Sequence, residues 1–268
     1  DKIKFNTRVT NTIYKNDKFE ISYQDKANNK MINDAFDYVE RFRKIFGDKD
    51  MLEVYISSGV HYLTKTVNIT YDVKVTGDGP STILTRFYGS ELTTSLDSKS
   101  STSKGLNPKK AMFTIGNFYA NVSGQNEYSD INYGVVLKDL TFVDNNSSST
   151  IKMTICIQEP RARSVSDGGL EGLVRIEGCT FKGNSTFSYS GGKWTYPIVI
   201  QKVDSNLNHV NAIMGNVSVK NNHFSYCGNQ YGGLVYALLN NNTSTYLEFV
   251  SIENNTSNKT LCKNFFGE

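Results

Sequence analysis

Two clusters of polar side chains, one after Ile157 and one after Ile200, hold the residues best suited to chemistry. The first carries Gln158, Glu159, Arg161, Arg163, Asp167 and Glu171, and the second Gln201, Lys202, Asp204 and His209. Hydrolysis of a glycosidic bond needs two carboxyl groups, one at the leaving oxygen and one at water or the sugar carbon. Glu159, Asp167, Glu171 and Asp204 are the candidates for that work. Elimination would instead need acidic calcium ligands and a base beside a carboxylated sugar. Neither set forms a recognisable motif, and a solvated polar loop gives the same residues. A second use is glycan contact. Gln158, Arg161, Arg163, Gln201 and Lys202 can hydrogen-bond sugar hydroxyls, while Tyr189, Trp194 and Tyr196 lie close enough in sequence to stack on sugar rings. The plain alternative for Trp194, the single tryptophan, is a loop packed onto the body of the protein. His61 is read as structural, and His209 and His223 have no evident Ser, Cys or Asp partner.

The elements that position these clusters come from a repeat. Val135–Phe142 is answered by Val174–Phe181, by Val217–Phe224 and by Val250–Ser257, with apolar residues at the first and third of eight positions. The third positions, 137, 176, 219 and 252, lie 39, 43 and 33 residues apart, a loose period that suits stacked coils with loops of varying length. Phe113-Thr114-Ile115, Ile155-Cys156-Ile157, Ile198-Val199-Ile200 and Val235-Tyr236-Ala237 advance with it, so each repeat carries at least two short strands. Gly-rich turns such as Gly168-Gly169, Gly191-Gly192 and Gly232-Gly233 separate them. An antiparallel sandwich would not require the same pattern once per coil. The expected fold is all-β, a right-handed parallel β-helix.

Positions one, three, six and eight should face inward. Position eight then stacks Phe142, Phe181 and Phe224 in one file, ending at Ser257, and Asn222 and Asn255 at position six begin an asparagine ladder. Position four alternates Lys138, Glu177, Lys220 and Glu253, which reads as register control. Thr114, Cys156, Val199 and Tyr236, outward in the other series, are uncharged, so that face is covered by the chain's own loops or by another subunit. The second option would seat another copy of the chain on that face.

Before the repeats, Ile32, Ala35, Phe36, Val39, Phe42 and Phe46 follow helical spacing between Asn29 and Gly47. A helix over about 31–46 would cap the apolar end of the solenoid, giving an N-terminal segment at 1–50 and a β-helix at 51–268. The Ser/Thr-rich stretch from Ser90 to Lys110 reads as a loop.

Composition sets limits on the rest. A net charge of +3 is too small to imply nucleic acid and is compatible with acidic glycans. No hydrophobic run has membrane length and no signal peptide is seen, and the opening on Asp1 suggests a processed or excised form. Cys156, Cys179, Cys227 and Cys262 lack metal-ligand spacing; Cys179 reads as a small core residue, and a Cys227–Cys262 bridge stays open. Sequons such as Asn68-Ile69-Thr70 arise by chance in a chain rich in Asn, Ser and Thr.

The run Leu52–Leu63, containing Ile56-Ser57-Ser58-Gly59-Val60-His61-Tyr62-Leu63, and the run Val75-Thr76-Gly77-Asp78-Gly79-Pro80-Ser81-Thr82-Ile83-Leu84 follow the helix. Together they resemble the opening coil of the pectate-lyase-like β-helix superfamily, and within it phage tail-spike and tail-fibre proteins and bacterial surface β-helix proteins. The resemblance is close over 31–84 and extends through the repeat to about residue 258. It implies a virion-tail or extracellular module that presents loops to a cell-surface polysaccharide or receptor and, as in such spikes, a homotrimer formed through the uncharged outer face. The alternative it implies is a polysaccharide lyase or glycoside hydrolase, with calcium needed only for the lyase. No other cofactor and no nucleic acid or membrane partner is expected.

Overall fold

The computed structural model describes residues 9–15, 18–23, seven residues between 32 and 41, 52–87, 105–116, 130–144, 152–158, 174–183, 195–204, 206–208, 213–214, 217–228, 233–238, 246–247, 250–260 and 266–267. The chain winds through six coils of three strands. Sheet A stacks Leu52–Ile56, Tyr71–Gly77, Asp130–Lys138, Val174–Glu177, Val217–Lys220 and Val250–Glu253. Sheet B stacks Gly59–Leu63, Thr82–Arg86, Thr141–Val143, Thr180–Lys182, His223–Ser225 and Thr256–Asn258. Sheet C stacks Val67–Ile69, Ala111–Ile115, Lys152–Ile157, Thr195–Gln201, Val235–Leu238 and Phe266–Gly267. Every strand pairing between neighbouring coils is parallel, and an isolated antiparallel bridge joins Thr195 to Gly228. The fold is a parallel β-helix.

Each coil holds three strands because the eight-residue pattern is two strands joined by a tight turn. Position five adopts the left-handed conformation in all four repeats, at Asp139 (φ 54°), Gly178 (63°), Asn221 (58°) and Asn254 (53°). Gly, Asn and Asp are the residues that tolerate it. That single left-handed residue swings the chain from sheet A to sheet B and shifts the inward parity from positions one and three to six and eight. In the first three repeats all twelve of those residues are buried, none more than 1% exposed.

Position eight forms the file its spacing required. Phe142 and Phe181 stack at 5.2 Å and 17°, and Phe181 and Phe224 at 4.9 Å and 7°. Phe113 meets Phe142 edge-on at 5.7 Å, and Phe36 meets Phe113 in the same way at 5.7 Å. The column therefore reaches into the N-terminal cap. Residues 32, 33, 36, 37 and 39–41 are helical, and Ile32, Phe36 and Val39 are buried in the main core. Beside this helix, Val9–Lys15 and Lys18–Tyr23 form a hairpin whose second strand extends sheet A in parallel with Leu52–Ile56.

Position six forms a ladder of side-chain amides. Asn222 Nδ2 donates to Asn255 Oδ1 at 3.0 Å and to the Ile176 carbonyl at 2.9 Å, while Asn255 Nδ2 donates to the Val219 carbonyl at 2.8 Å. Cys179 takes the equivalent place one coil earlier. Its Sγ donates to the Leu137 carbonyl at 3.5 Å and its backbone N–H to Asn222 Oδ1 at 2.8 Å. Burial pushes this thiol up to about 12, so it stays protonated as a rung of the turn.

A close approach elsewhere demands glycine. A Cβ built on Gly183 would lie 1.9 Å from the Tyr226 carbonyl oxygen of the next coil, whereas one on Gly79 meets nothing within 4 Å. Gly183→Ala is therefore expected to cost about 3 kcal/mol, the upper end for overpacking. Gly79→Ala should cost about 1–2 kcal/mol through its left-handed backbone alone (φ 64°). Urea unfolding of both variants checks the order.

His61 occupies the inward file above Leu84 and Phe142, is 6% exposed, and its Nε2 donates to the Ser57 carbonyl at 2.8 Å. Burial holds its pKa below the ordinary histidine value, partly opposed by that hydrogen bond. The unfolded chain then takes up a proton below about pH 6.5 that the folded chain resists. The contribution is complete above that pH and shrinks as the pH falls from it towards the lower folded value. Denaturant midpoints at pH 7.5 and 5.0 should show a smaller acid loss in His61→Leu than in the native chain, the carboxylates being common to both.

Candidate functional site

The three sheets present three different outward surfaces. On sheet A the position-four charges fall in register across the coils, Lys138 beside Glu177 beside Lys220 beside Glu253. Lys220 Nζ lies 3.2 Å from Glu253 and Lys74 Nζ 3.4 Å from Glu53. All four side chains are partly exposed, so each pair contributes little to stability and mainly favours one register over another.

Sheet C is covered by the chain itself. Thr114, Cys156 and Val199 are fully buried and Tyr236 is 7% exposed. A strap at 105–110 lies over this face. Leu106 packs with Ala111, Met153, Cys156, Tyr196, Val199, Tyr236 and Leu238 in a second apolar cluster. The strap ends in a 3₁₀ turn, Pro108–Lys110, whose Lys109 N–H donates to the Asn107 side chain at 3.1 Å. Thr114 Oγ1 donates to the Pro108 carbonyl at 3.0 Å, and Thr66 Oγ1 lies 2.7 Å from the Lys109 carbonyl. Of the two ways to cover an uncharged face, the structure uses the chain's own loop. The reason for expecting a trimer through that face is met within one molecule.

The sequence-selected polar residues are part of this arrangement. Gln158 and Gln201 follow Ile157 and Ile200, which are register partners, so the two amides do stand side by side, but both are fully buried. Gln201 Nε2 donates to the Leu106 carbonyl at 2.6 Å while its Oε1 accepts the Leu106 N–H at 3.0 Å. Gln158 Oε1 accepts the Val203 N–H at 3.2 Å. Both amide nitrogens also approach Cys156 Sγ, at 3.7 and 3.5 Å. Burial pushes that thiol up to about 12, partly opposed by those hydrogen bonds. The expected glycan contacts Gln158 and Gln201 are thus corrected: they grip the chain's own backbone, because a covered sheet face needs partners for the amide groups laid across it.

Lys202 and Asp204 are buried too, at 4% and 8% exposure. Asp204 accepts the backbone N–H groups of Asn206 and Asn208 at 2.8 and 2.9 Å and the Asn208 amide at 3.2 Å, which ties its carboxylate into its own turn. Tyr196 is 4% exposed and stacks on Tyr236 at 5.5 Å, so its ring faces a neighbouring coil and not a sugar. Glu159, Arg161, Arg163, Asp167, Glu171, Tyr189, Trp194 and His209 lie outside the described residues, as does Cys262, the second partner of the bridge considered for the buried Cys227. Among the described residues, no group of three or more His, Cys, Asp or Glu side chains is placed to hold a metal ion. No helix among them is long and apolar enough to cross a membrane.

Sheet B is partly open, its outward residues running from the buried Thr141 and Ser225 to the exposed Val60, Tyr62, Lys182, Thr256 and Asn258. One outward file runs Val60, Ile83, Thr141, Thr180, His223 and Thr256, and the other Tyr62, Thr85, Val143, Lys182, Ser225 and Asn258. Across the six coils Lys182 and His223 are the only Lys, Arg, His, Asp or Glu in these files, in contrast with the charged rows of sheet A. At its N-terminal end Val60, Tyr62 and Phe87 are exposed by 53%, 43% and 39%. Tyr62 and Phe87 meet edge to face, with centroids 6.2 Å apart. The Phe87 N–H donates to the Leu63 carbonyl at 2.8 Å, which holds the ring at the strand end. Sequence inspection missed this pair. The usable signal was parity, since Tyr62 lies between inward His61 and Leu63.

A further concavity of about 410 Å³ lies between the cap helix and the first two coils, lined by residues that include Asn33, Phe36, Glu40, Asn68 and Lys109. Lys65 and Asp37, both half exposed, pair there at 2.8 Å.

No family model matches the chain, and no solved structure matches it significantly. A stretch of 39 residues is 69% identical to trimethylamine monooxygenase of Pelagibacter sp., covering 15% of this chain and 9% of that enzyme. A stretch of 38 residues is 60% identical to the trimethylamine monooxygenase of Pelagibacter ubique, covering 14% of this chain and 9% of that one. The chain thus spans about a tenth of the length of these relatives, too little to carry over the activity of either.

Proposed function

We propose that this chain is a rigid, non-catalytic β-helix module of a virion tail fibre or other extracellular surface protein, and that it holds a host-surface glycan. The observation that supports this reading most is the division of labour among the sheets. The face with the best-placed polar residues is filled by the strap at 105–110, while sheet B leaves Val60, Tyr62 and Phe87 exposed at its N-terminal end. A solenoid offers such a surface with little conformational entropy left to lose on binding.

The competing reading is a lyase or hydrolase that shortens the same polymer. Of its four candidate carboxylates, Asp204 is occupied in its own turn. The two readings separate in one experiment. Incubation with host capsule, teichoic acid, polyuronate and neutral polysaccharides should give retention of the protein on at least one polymer whose size stays constant and which gains no unsaturated ends. Falling polymer size would replace the binding module with a depolymerase. Cleavage that persisted in the Glu159→Gln, Asp167→Asn and Glu171→Gln variants would place its chemistry elsewhere.

A further inference from the structure

We infer that the outward face of sheet B takes a neutral polysaccharide laid along the solenoid axis, with Tyr62 and Phe87 as its aromatic contacts. The inference rests on the reading of the chain as a glycan-binding module and names the site and the class of polymer.

The argument starts from charge. A carboxylated or phosphorylated polymer gains most from rows of cations, because charge-assisted hydrogen bonds are the strong ones. Sheet B offers a single Lys182 and the half-buried His223, whose Nδ1 lies 2.9 Å from Thr256 Oγ1. The cations that do form rows stand on sheet A, where carboxylates in the neighbouring coils offset them. An acidic chain on sheet B would surrender its hydration for little return. A neutral sugar has no such charge to desolvate.

The remaining side chains match what such a sugar offers. A pyranose ring has apolar C–H faces and a rim of hydroxyls. Tyr62 and Phe87 stand at 86° to each other, so they present two differently inclined ring faces, and the exposed Val60 enlarges the apolar contact beside them. Beyond them the files turn to Thr85, Thr180, Thr256 and Asn258, whose hydroxyl and amide groups can both donate and accept. Neighbouring coils repeat at about 4.8 Å. The six strands therefore spread these groups over roughly 24 Å along the axis, enough for several sugar rings. A folded protein partner would favour a contiguous apolar centre, whereas here the exposed large apolar side chains, Val60, Tyr62 and Phe87, stand together at one end.

The test is retention of the purified chain on an array of neutral and uronate-bearing polysaccharides. Retention on neutral polymers should weaken about tenfold in each of Tyr62→Ala and Phe87→Ala. Tyr62→Phe, which keeps the ring, and Lys138→Ala, on sheet A, should bind like the native chain. Unchanged melting curves would exclude unfolding as the cause, as expected for side chains this exposed. Retention confined to uronate polymers overturns the inference and leaves the proposed function standing. Neutral binding unaffected by both alanine variants also overturns it, by placing the glycan elsewhere. Absence of retention on any polysaccharide overturns both.

Discussion

Arg86→Met should lower the unfolding free energy by about 3–5 kcal/mol, the cost of leaving a charge buried without its partner. Arg86 and Asp144 face each other with side chains 3% and 2% exposed, the Nε of Arg86 donating to Asp144 Oδ2 at 3.2 Å. The guanidinium also donates to the Lys110 carbonyl at 2.9 Å and the Met153 carbonyl at 2.6 Å, joining the second coil to the strap and to sheet C of the third. Removal strands one carboxylate and takes donors from two carbonyls at once. Asp144→Leu alone should be similarly harmful, since it leaves the guanidinium buried. The double variant Arg86→Met, Asp144→Leu should recover much of the loss, because a well-packed apolar pair can match a buried ion pair. Urea midpoints for the two single variants and the double variant complete the cycle. Additive losses would mean that the pair is not coupled.

Phe181→Ala is the second large effect, at about 3–5 kcal/mol. Phe181 lies between Phe142 and Phe224 and is 1% exposed. Truncation opens a cavity in the middle of a stacked file and removes two ring contacts, each worth about 0.5–1.5 kcal/mol beyond its buried area. Neighbouring coils are held by backbone ladders on both sides, which limits collapse into the space. Phe224→Ala should cost less. The next residue in its file is Ser257, in the exposed strand Thr256–Asn258, so the last coil can relax towards the gap. Equal midpoints for Phe181→Ala and the native chain would show that the column is not what holds the coils together.

The inward half of this molecule was readable before any coordinates. Through the first three repeats positions one, three, six and eight are buried, and the aromatic file and the paired asparagines stand where the repeat put them, as on the outer face does the alternation of Lys and Glu. Each depends on short-range rules: side-chain parity along a strand, and identity between coils stacked at a constant spacing. The number of strands per coil was less visible. The left-handed residue at position five, which splits one pattern into two strands, is filled by Asp, Gly and Asn, and its recurrence became evident only with the backbone angles.

The outward half was not readable in the same way. Parity places Gln158, Gln201 and Tyr62 opposite the main core, but it does not say which outward face meets water. That depends on Leu106, 95 residues from Gln201 along the chain, being carried back over sheet C. The sequence alone therefore determined that this chain is a stack of coils with an apolar, partly aromatic interior. Only the tertiary structure decided which of its three outer faces is covered, because covering a face is a long-range contact made by a loop, and no local pattern records where a loop comes to rest.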